Sequence, residues 1–300
     1  MKKAVVSGGT GYVGRFIVED LLAAGYDVTV LNRTAPPVGY FSGAVAFARL
    51  QLGDTPVSPT LFDGASFFVH AAFDHVPGRY RGGEGDDPEG FRRRNAAGSI
   101  ALFEAARAAG VSRAVFLSSR AVYGPRPPGV LLDEDDMPRP DTLYGLAKLE
   151  VEQALAALGG GAFHGVTLRV TGVYGPAGPG REHKWASLFA DYLAGRPLPP
   201  RAGTEVHGSD VASAVRLVLE MPDPPPPVLN VSDLLLDWRD LLAIVRDLSG
   251  SLHELPPRAD ASAVNAMRTD RLRALGWKPG GMALLRLTVA RLLGSSMGVG

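Results

Sequence analysis

Two side chains suited to proton transfer lie close together in the middle of the chain. Tyr144 and Lys148 are four residues apart in TLYGLAKLEVEQAL (142–155), a stretch with helical periodicity, so both project from one helix face. A lysine ammonium beside a phenol lowers the phenol's pKa from its ordinary value of about 10 toward neutrality. The pair therefore predicts acid–base catalysis at a hydroxyl or carbonyl group.

A pair of serines precedes this helix. Ser118 and Ser119 end the apolar run RAVFLSS (113–119), which is typical of a buried strand, and ligands of parallel sheets bind at the carboxyl ends of strands. A hydroxyl at this edge could hold a substrate oxygen while Tyr144 moves the proton. The alternative interpretation is a strand end or a helix N-cap.

A glycine loop lies near the N-terminus. GGTGYVG (8–14) follows the first predicted strand directly and opens the first predicted helix. In that context glycines let backbone N–H groups approach a pyrophosphate at a helix N-terminus. The residues predicted to contact a dinucleotide from this loop are Gly8, Thr10, Gly11, Tyr12, Val13 and Gly14.

The second predicted strand ends in Leu31-Asn32-Arg33. Sites that prefer NAD usually carry Asp or Glu here for the ribose hydroxyls, whereas an arginine can pair with a 2′-phosphate. Asn32 and Arg33 are therefore predicted cofactor contacts. NADP is the predicted cofactor and NAD the alternative, and a solvated loop arginine is the other interpretation of Arg33.

Short apolar runs alternate with amphipathic, helix-length stretches through the first 170 residues. This alternation predicts an α/β fold with a doubly wound parallel (Rossmann) sheet. We predict a dinucleotide-binding domain over 1–170 with a return segment near 205–231. Segments 171–204 and 232–300 are predicted to form a smaller, mainly helical C-terminal substrate-binding region. The segment 76–90 is either a lid or a solvated connection.

Composition excludes several classes. Lys+Arg and Asp+Glu both total 31, so the chain carries no net charge and we expect neither nucleic-acid nor membrane binding. The absence of Cys excludes disulfides and thiolate metal sites, and the scattered histidines predict no metal site. The first apolar run is too short for a secretory signal and no segment reaches a membrane span, which predicts a cytoplasmic protein.

Taken together, these motifs resemble the extended short-chain dehydrogenase/reductase family. Beyond the glycine loop and the YGLAK pair, SSRAVYG (118–124) resembles the family's SSxxVYG strand and VHAA (69–72) its fourth-strand motif. The resemblance implies catalytic roles for Ser119, Tyr144, Lys148 and Asn95, the last as support of a proton relay. It also implies cofactor contacts by Asp54, Ala71, Ala72, Tyr144 and Lys148, and a homodimer that pairs through helices near 94–109 and 144–157.

Departures from the family pattern concern the substrate. Arg120 and Ala121 stand where related 4,6-dehydratases carry an Asp-Glu pair, Gly203 stands where nucleotide-sugar members usually carry an arginine, and Thr171 stands where many carry asparagine. These differences argue against dehydration and against a nucleotide-linked sugar. The predicted substrate contacts are Arg120, Thr171 and Lys184. Arg120 either binds a substrate carboxylate or phosphate, or turns to solvent or to the acidic run 133–136.

Three functions follow. The leading prediction is an NADP(H)-dependent oxidoreductase that acts on a small sugar-like or acidic hydroxyl or carbonyl substrate. The first alternative is a sugar epimerase that retains its NAD. The second is a non-catalytic dinucleotide-sensing protein, against which the Tyr144–Lys148 pair argues.

Overall fold

The computed structural model describes residues 2–54, 56–74 and 85–297, with side chains up to residue 294. Most of the segment 76–90, and His75, lie outside these residues.

A seven-stranded parallel sheet forms the centre of the molecule. Six of its strands come first in the chain: β1 (Lys3–Ser7), β2 (Asp27–Asn32), β3 (Ala46–Arg49), β4 (Phe67–His70), β5 (Arg113–Ser119) and β6 (His164–Val170). The seventh is β9 (Val228–Val231), because β7 and β8 belong to the second sheet described below. Their order across the sheet is β3-β2-β1-β4-β5-β6-β9. The order reverses between β1 and β4, and the crevice at such a point is where doubly wound sheets bind nucleotides.

Helices cover both faces of this sheet. The helices of the described chain are α1 (Tyr12–Ala23), α2 (Pro88–Arg92), α3 (Gly98–Ala108), α4 (Leu143–Leu158), α5 (Ala186–Leu193), α6 (Gly208–Glu220), α7 (Trp238–Ser249), α8 (Asp270–Ala274) and α9 (Gly281–Met297). α1 and α6 bury their apolar stripes on one face and α3 and α4 on the other. The strands are almost continuously apolar because side chains on both faces are buried.

Short 3-10 and π turns connect several of these elements. They lie at Pro59–Phe62, Arg93–Ala97, Arg120–Tyr123 and Ala261–Ala263. The second is a π turn that joins α2 to α3, so the chain runs as one irregular helix past Asn95. Such π turns interrupt α-helices frequently at functional sites.

A second, three-stranded sheet lies in the C-terminal half. Its strands are β7 (Gly172–Tyr174), β8 (Ala202–His207) and β10 (Leu234–Asp237), in the order β10-β8-β7. The sequence predicted loops and helices there, because these strands are short and their partners lie far apart in the chain. α5, α7 and α9 close a separate apolar core beneath them.

The chain returns to the large sheet after β8. α6 crosses over and β9 pairs in parallel with β6, with Thr167 opposite Val228. Within the described residues, no helix combines the length and the apolar character that crossing a membrane requires.

Candidate active site

The glycine loop packs tightly between two strand ends. Gly8 has a φ of +71°, and a Cβ placed on it would lie 2.6 Å from the Ala72 Cα. A Cβ on Gly14 would overlap the Gly8 carbonyl oxygen. The Ala71 N–H donates to the Ser7 carbonyl at 3.1 Å, so the ends of β1 and β4 are fixed together. Only glycine allows this approach.

The same loop presents backbone donors to the crevice. Gly11 is the N-cap of α1 and no side chain caps the helix. The N–H groups of Tyr12, Val13 and Gly14 therefore have no acceptor within the helix, and the helix dipole adds partial positive charge there. The Tyr12 hydroxyl donates to the Gly175 carbonyl at 2.6 Å, which fixes the loop against β7. This arrangement suits a pyrophosphate.

A cavity of about 290 Å³ opens beside the loop and the end of β2. It is lined by Thr10, the segment 34–40, Pro179 and Arg181. Asn32 donates its side-chain amide to the Thr10 hydroxyl. Arg33 is 71% exposed and its Nη1 lies 3.7 Å from the Asp74 Oδ1. Arg33 thus has a carboxylate neighbour that the sequence did not indicate.

Asn95 fixes the backbone that follows β4. Its Oδ1 accepts from the Asp74 N–H at 2.7 Å, and its Nδ2 donates to the Asp74 carbonyl at 2.7 Å. The Asn95 side chain is buried and is committed to this clamp, with a further contact to the Phe91 carbonyl at 3.1 Å. These contacts make Asn95 a positioning residue, and its support of a proton relay stays a prediction.

A buried chain of hydrogen bonds runs from β1 to Asn95. The Ser7 hydroxyl bonds His70 Nδ1 at 2.5 Å, His70 Nε2 bonds the Ser99 hydroxyl at 2.7 Å, and Ser99 donates to the Asn95 carbonyl at 2.5 Å. Burial lowers the pKa of His70 to about 3. The ring is therefore neutral, with one nitrogen donating and the other accepting.

Lys148 is buried beneath the carboxyl end of β5. Its Nζ donates to the Leu117 carbonyl at 2.7 Å and lies 4.4 Å, 4.7 Å and 5.8 Å from the ring centroids of Phe73, Phe116 and Tyr144. Burial lowers the pKa of Lys148 to about 7, against an opposing effect of Glu152. The Phe73 and Tyr144 rings meet edge to face at 4.9 Å. The structure thus brings the predicted pair together on one helix face.

The two serines have different surroundings. Ser119 is partly exposed and accepts from the Ala121 N–H at 3.1 Å; this leaves its O–H proton available to a substrate oxygen. Ser118 is buried and donates to Glu152, which pairs with Arg169 at 2.8 Å. A Cβ on Gly145 would lie 2.7 Å from the Ala121 carbonyl, so the turn after Ser119 abuts the start of α4.

The predicted substrate residues lie in two places. Arg120 is partly buried and its Nε donates to the Asn265 carbonyl at 3.1 Å. The acidic run that was the alternative partner of Arg120 is paired with Arg271, which lies 3.4 Å from Asp133. Burial lowers the pKa of Arg120. The Arg120 guanidinium is thus held partly out of water, beside Ser119.

Thr171 and Lys184 lie together at the small sheet. The Thr171 hydroxyl donates to the Thr204 carbonyl at 2.9 Å, and Lys184 forms an ion pair with Glu205. Burial raises the pKa of Glu205, with Lys184 opposing the shift. Both predicted contacts therefore have partners inside the protein.

Asp54 is exposed on the loop after β3, with its N–H donating to the Gln51 carbonyl at 3.2 Å. The neighbouring Gly53 lies against Arg94, whose Cγ would be 3.0 Å from an added Cβ. Asp54 thus lies at the same sheet edge as Arg33 and Asp74.

Sequence reasoning missed Asp74, Glu205 and the role of His70. A charged residue four positions after the end of a buried strand, as in VHAAFD, was the available signal for Asp74. Glu205 gave no such signal because its strand was not predicted. Within the described residues, no three His, Asp or Glu side chains are grouped so that they could hold a metal ion.

Comparison with known proteins agrees with this geometry. Residues 4–232 match the model of the NAD dependent epimerase/dehydratase family. A UDP-glucose 4-epimerase of Streptomyces lividans is 36% identical over 173 residues, which cover 55% of this chain and 49% of that protein. The match thus spans about half the length of that relative.

Solved structures match over almost the whole chain. The UDP-glucose 4-epimerase of Thermus thermophilus in complex with NAD is 30% identical, with a TM-score of 0.74 over 98% of this chain and 99% of that one. MoeE5 in complex with UDP-glucose and NAD is 26% identical, with a TM-score of 0.78 over 99% of this chain and 100% of that one. The chain therefore belongs to the NAD-dependent epimerase/dehydratase family, whose members are enzymes of the extended short-chain dehydrogenase/reductase type.

Proposed function

We propose that this protein catalyses hydride transfer between NAD(P) and a hydroxyl or carbonyl carbon of a sugar-like substrate, with Tyr144 as the acid–base. The observation that carries the proposal is the buried ammonium of Lys148, 5.8 Å from the Tyr144 ring centroid at the carboxyl end of β5. Burial lowers the pKa of this ammonium to about 7, and enzymes place groups with a shifted pKa where a proton must move.

Each side chain has a distinct task. Tyr144 takes the proton of the substrate hydroxyl, or returns it to a carbonyl oxygen, and Ser119 donates a hydrogen bond to that oxygen. Lys148 stabilises the phenolate by its charge and is a donor for the ribose hydroxyls of the cofactor. When bound, the nicotinamide supplies or accepts the hydride.

The residues present fit a dinucleotide. The glycine loop leaves no room for Cβ atoms at Gly8 and Gly14, and the uncapped N-terminus of α1 presents three N–H donors. Arg33, exposed at the end of β2 where an acid would select NAD, supports NADP as the preferred form. NAD is the alternative, since the relatives of solved structure named above hold NAD.

The substrate end supports a sugar-like or acidic group. Arg120 offers a partly buried cation next to Ser119, which suits a carboxylate. Lys184 is neutralised by Glu205, and a Cβ on Gly203 would meet only open space. These features supply no obvious clamp for a nucleoside diphosphate, although relatives carry UDP-sugars in their structures.

Epimerisation is the second candidate. The UDP-glucose 4-epimerases named above favour it, and oxidation followed by reduction uses the same Tyr144 chemistry with the cofactor retained. A purely sensing role has no use for the buried Lys148 beside Tyr144.

We also propose a cytoplasmic homodimer that pairs through α3 and α4. Leu146 on α4 is 49% exposed in the single chain, which is consistent with an apolar helix face that a second protomer covers in the dimer.

Mass spectrometry of nucleotide released from the purified, denatured protein tests the proposal. NADP, or an empty site that binds NADPH more tightly than NADH, supports an exchanging oxidoreductase. NAD held at about one per chain supports the epimerase and contradicts the NADP preference. A protein that neither contains nor binds a dinucleotide contradicts both functions.

A further inference from the structure

Four charged side chains meet at the edge of the cofactor crevice, where β2 and β4 end. Asp74 lies between two arginines: its Oδ2 accepts from Arg94 Nε at 2.7 Å and its Oδ1 lies 3.7 Å from Arg33 Nη1. Arg94 also pairs with Asp87 at 3.1 Å. Asp74 is the carboxylate that links Arg33 to the rest of this group.

The two contacts of Asp74 differ in strength. The Arg94 contact is a short hydrogen bond with a side chain only 29% exposed. The Arg33 contact is longer, and Arg33 is 71% exposed, so Arg33 can leave Asp74 at small cost. Arg94 therefore holds the Asp74 side chain in place, and Arg33 is the mobile partner.

The backbone of Asp74 is held independently of its side chain. Asn95 binds both the N–H and the carbonyl of Asp74 at 2.7 Å. The carboxylate is thus presented at a fixed point at the end of β4, facing the end of β2. Replacement of the carboxylate by an amide leaves this backbone clamp intact.

We propose that Asp74 sets the choice between NADP and NAD by competing with the 2′-phosphate for Arg33. An arginine at the end of β2 is placed to pair with a 2′-phosphate. With Asp74 as its neighbour, Arg33 must give up one anion to bind the other, and the free energy of this exchange lowers the affinity for NADP. NAD has no 2′-phosphate, so its Kd does not depend on this exchange. Asp74 thus reduces the preference for NADP over NAD that Arg33 alone would give.

The inference rests on the proposed dinucleotide site, and direct binding measurements test it without an assay of activity. Isothermal titration calorimetry gives the Kd of NADP⁺ and of NAD⁺ for the wild-type protein and for Asp74→Asn. We expect Asp74→Asn to bind NADP⁺ about fivefold more tightly, the range of one exposed ion pair, with the Kd of NAD⁺ unchanged within about twofold.

The matched control is Asp87→Asn. It removes the same charge from the same arginine, Arg94, but Asp87 is not the residue paired with Arg33. Asparagine also keeps the cap that Asp87 provides to the Gly90 N–H. We expect no change in the ratio of the two Kd values for this control.

The double variant Arg33→Ala/Asp74→Asn completes the test. Its Kd ratio should equal that of Arg33→Ala, because Asp74 acts through Arg33. Asp74→Ser replaces Asp74→Asn in the series if the amide variant has a lowered Tm.

If the ratio of the Kd of NADP⁺ to that of NAD⁺ is the same in Asp74→Asn as in the wild type, including the case in which both Kd values shift equally, the inference is overturned. The proposed function is then unaffected. A wild-type protein that binds neither nucleotide overturns both.

Discussion

Lys148 and Phe73 are in direct contact: the lysine Nζ lies 4.4 Å from the centroid of the phenylalanine ring. Phe73 follows β4 and Lys148 lies on α4, so the contact joins the end of β4 to α4. An aromatic face attracts a cation, yet burial dominates and lowers the pKa of Lys148 to about 7. The pKa of the ammonium next to Tyr144 therefore lies close to neutral pH.

Lys148 should make stability depend on pH in the cofactor-free protein. Above pH 7 the folded chain releases the proton that the unfolded chain keeps until about pH 10.5. The unfolded state then binds more protons, so the free energy of unfolding increases with rising pH through this window, by about 1.4 kcal/mol per pH unit at most. Urea unfolding from pH 7 to 9 should show a steeper rise for the wild type than for Lys148→Met. Equal slopes would contradict the assignment.

Tyr144→Phe should remove catalysis and keep binding. Loss of the phenol removes the proton donor and acceptor, and general acid–base groups contribute about 10²- to 10⁴-fold to rates. We expect kcat to fall in that range, a larger effect than any rise in the nucleotide Kd, and the ring contact with Phe73 remains in the variant. Full turnover by the variant would exclude Tyr144 as the acid–base.

His70 should contribute to acid sensitivity. Burial lowers its folded pKa to about 3, so between the ordinary value of about 6.5 and pH 3 only the unfolded chain takes up the proton. This stabilising contribution is complete above pH 6.5 and is lost as the pH falls. His70→Asn should cost about 1–3 kcal/mol at pH 7, since one bond to Ser7 or Ser99 is lost. It should also lose less stability than the wild type between pH 7 and 5, as measured by urea unfolding.

Arg120→Gln tests the predicted carboxylate contact. Loss of a charge-assisted hydrogen bond should raise the KM for a sugar acid by about tenfold or more and leave that for the neutral sugar unchanged. Arg126→Gln is the control, because Arg126 is partly exposed and donates to the Met137 carbonyl. If the KM for the acid does not change, Arg120 serves only to hold Asn265.

Glu205→Gln should expose the charge of Lys184. The neutral amide no longer balances the ammonium, which is 33% exposed, so anions should bind better. We expect the Kd of UDP to fall about threefold or more at low salt and the gain to shrink as salt rises. Glu182→Gln, an exposed change of the same charge, should have little effect in the same calorimetric titration. Equal responses of the two variants would show that Lys184 is not the anion contact.

The sequence by itself determined the parts that depend on neighbouring residues. The apolar runs predicted β1 to β6, most of which are buried on both faces and are therefore apolar throughout. The glycine loop and the spacing of Tyr144 and Lys148 follow from helix geometry and from the space that a Cβ needs, both local properties. In the sequence, Ser119 differs from Ser118 only by its place in a motif. That Ser118 is buried against Glu152 became evident only from the structure.

Tertiary structure alone decided the contacts between distant segments. Arg120 meets the carbonyl of Asn265, Arg33 meets Asp74, and Lys184 meets Glu205 across strands that the sequence did not reveal. A long side chain can reach many partners, and its direction is set by the packing of elements far apart in the chain. Charge pairing of this kind leaves no periodic pattern in the sequence, and for that reason Asp74, Glu205 and Asn265 were identified as partners only from the fold.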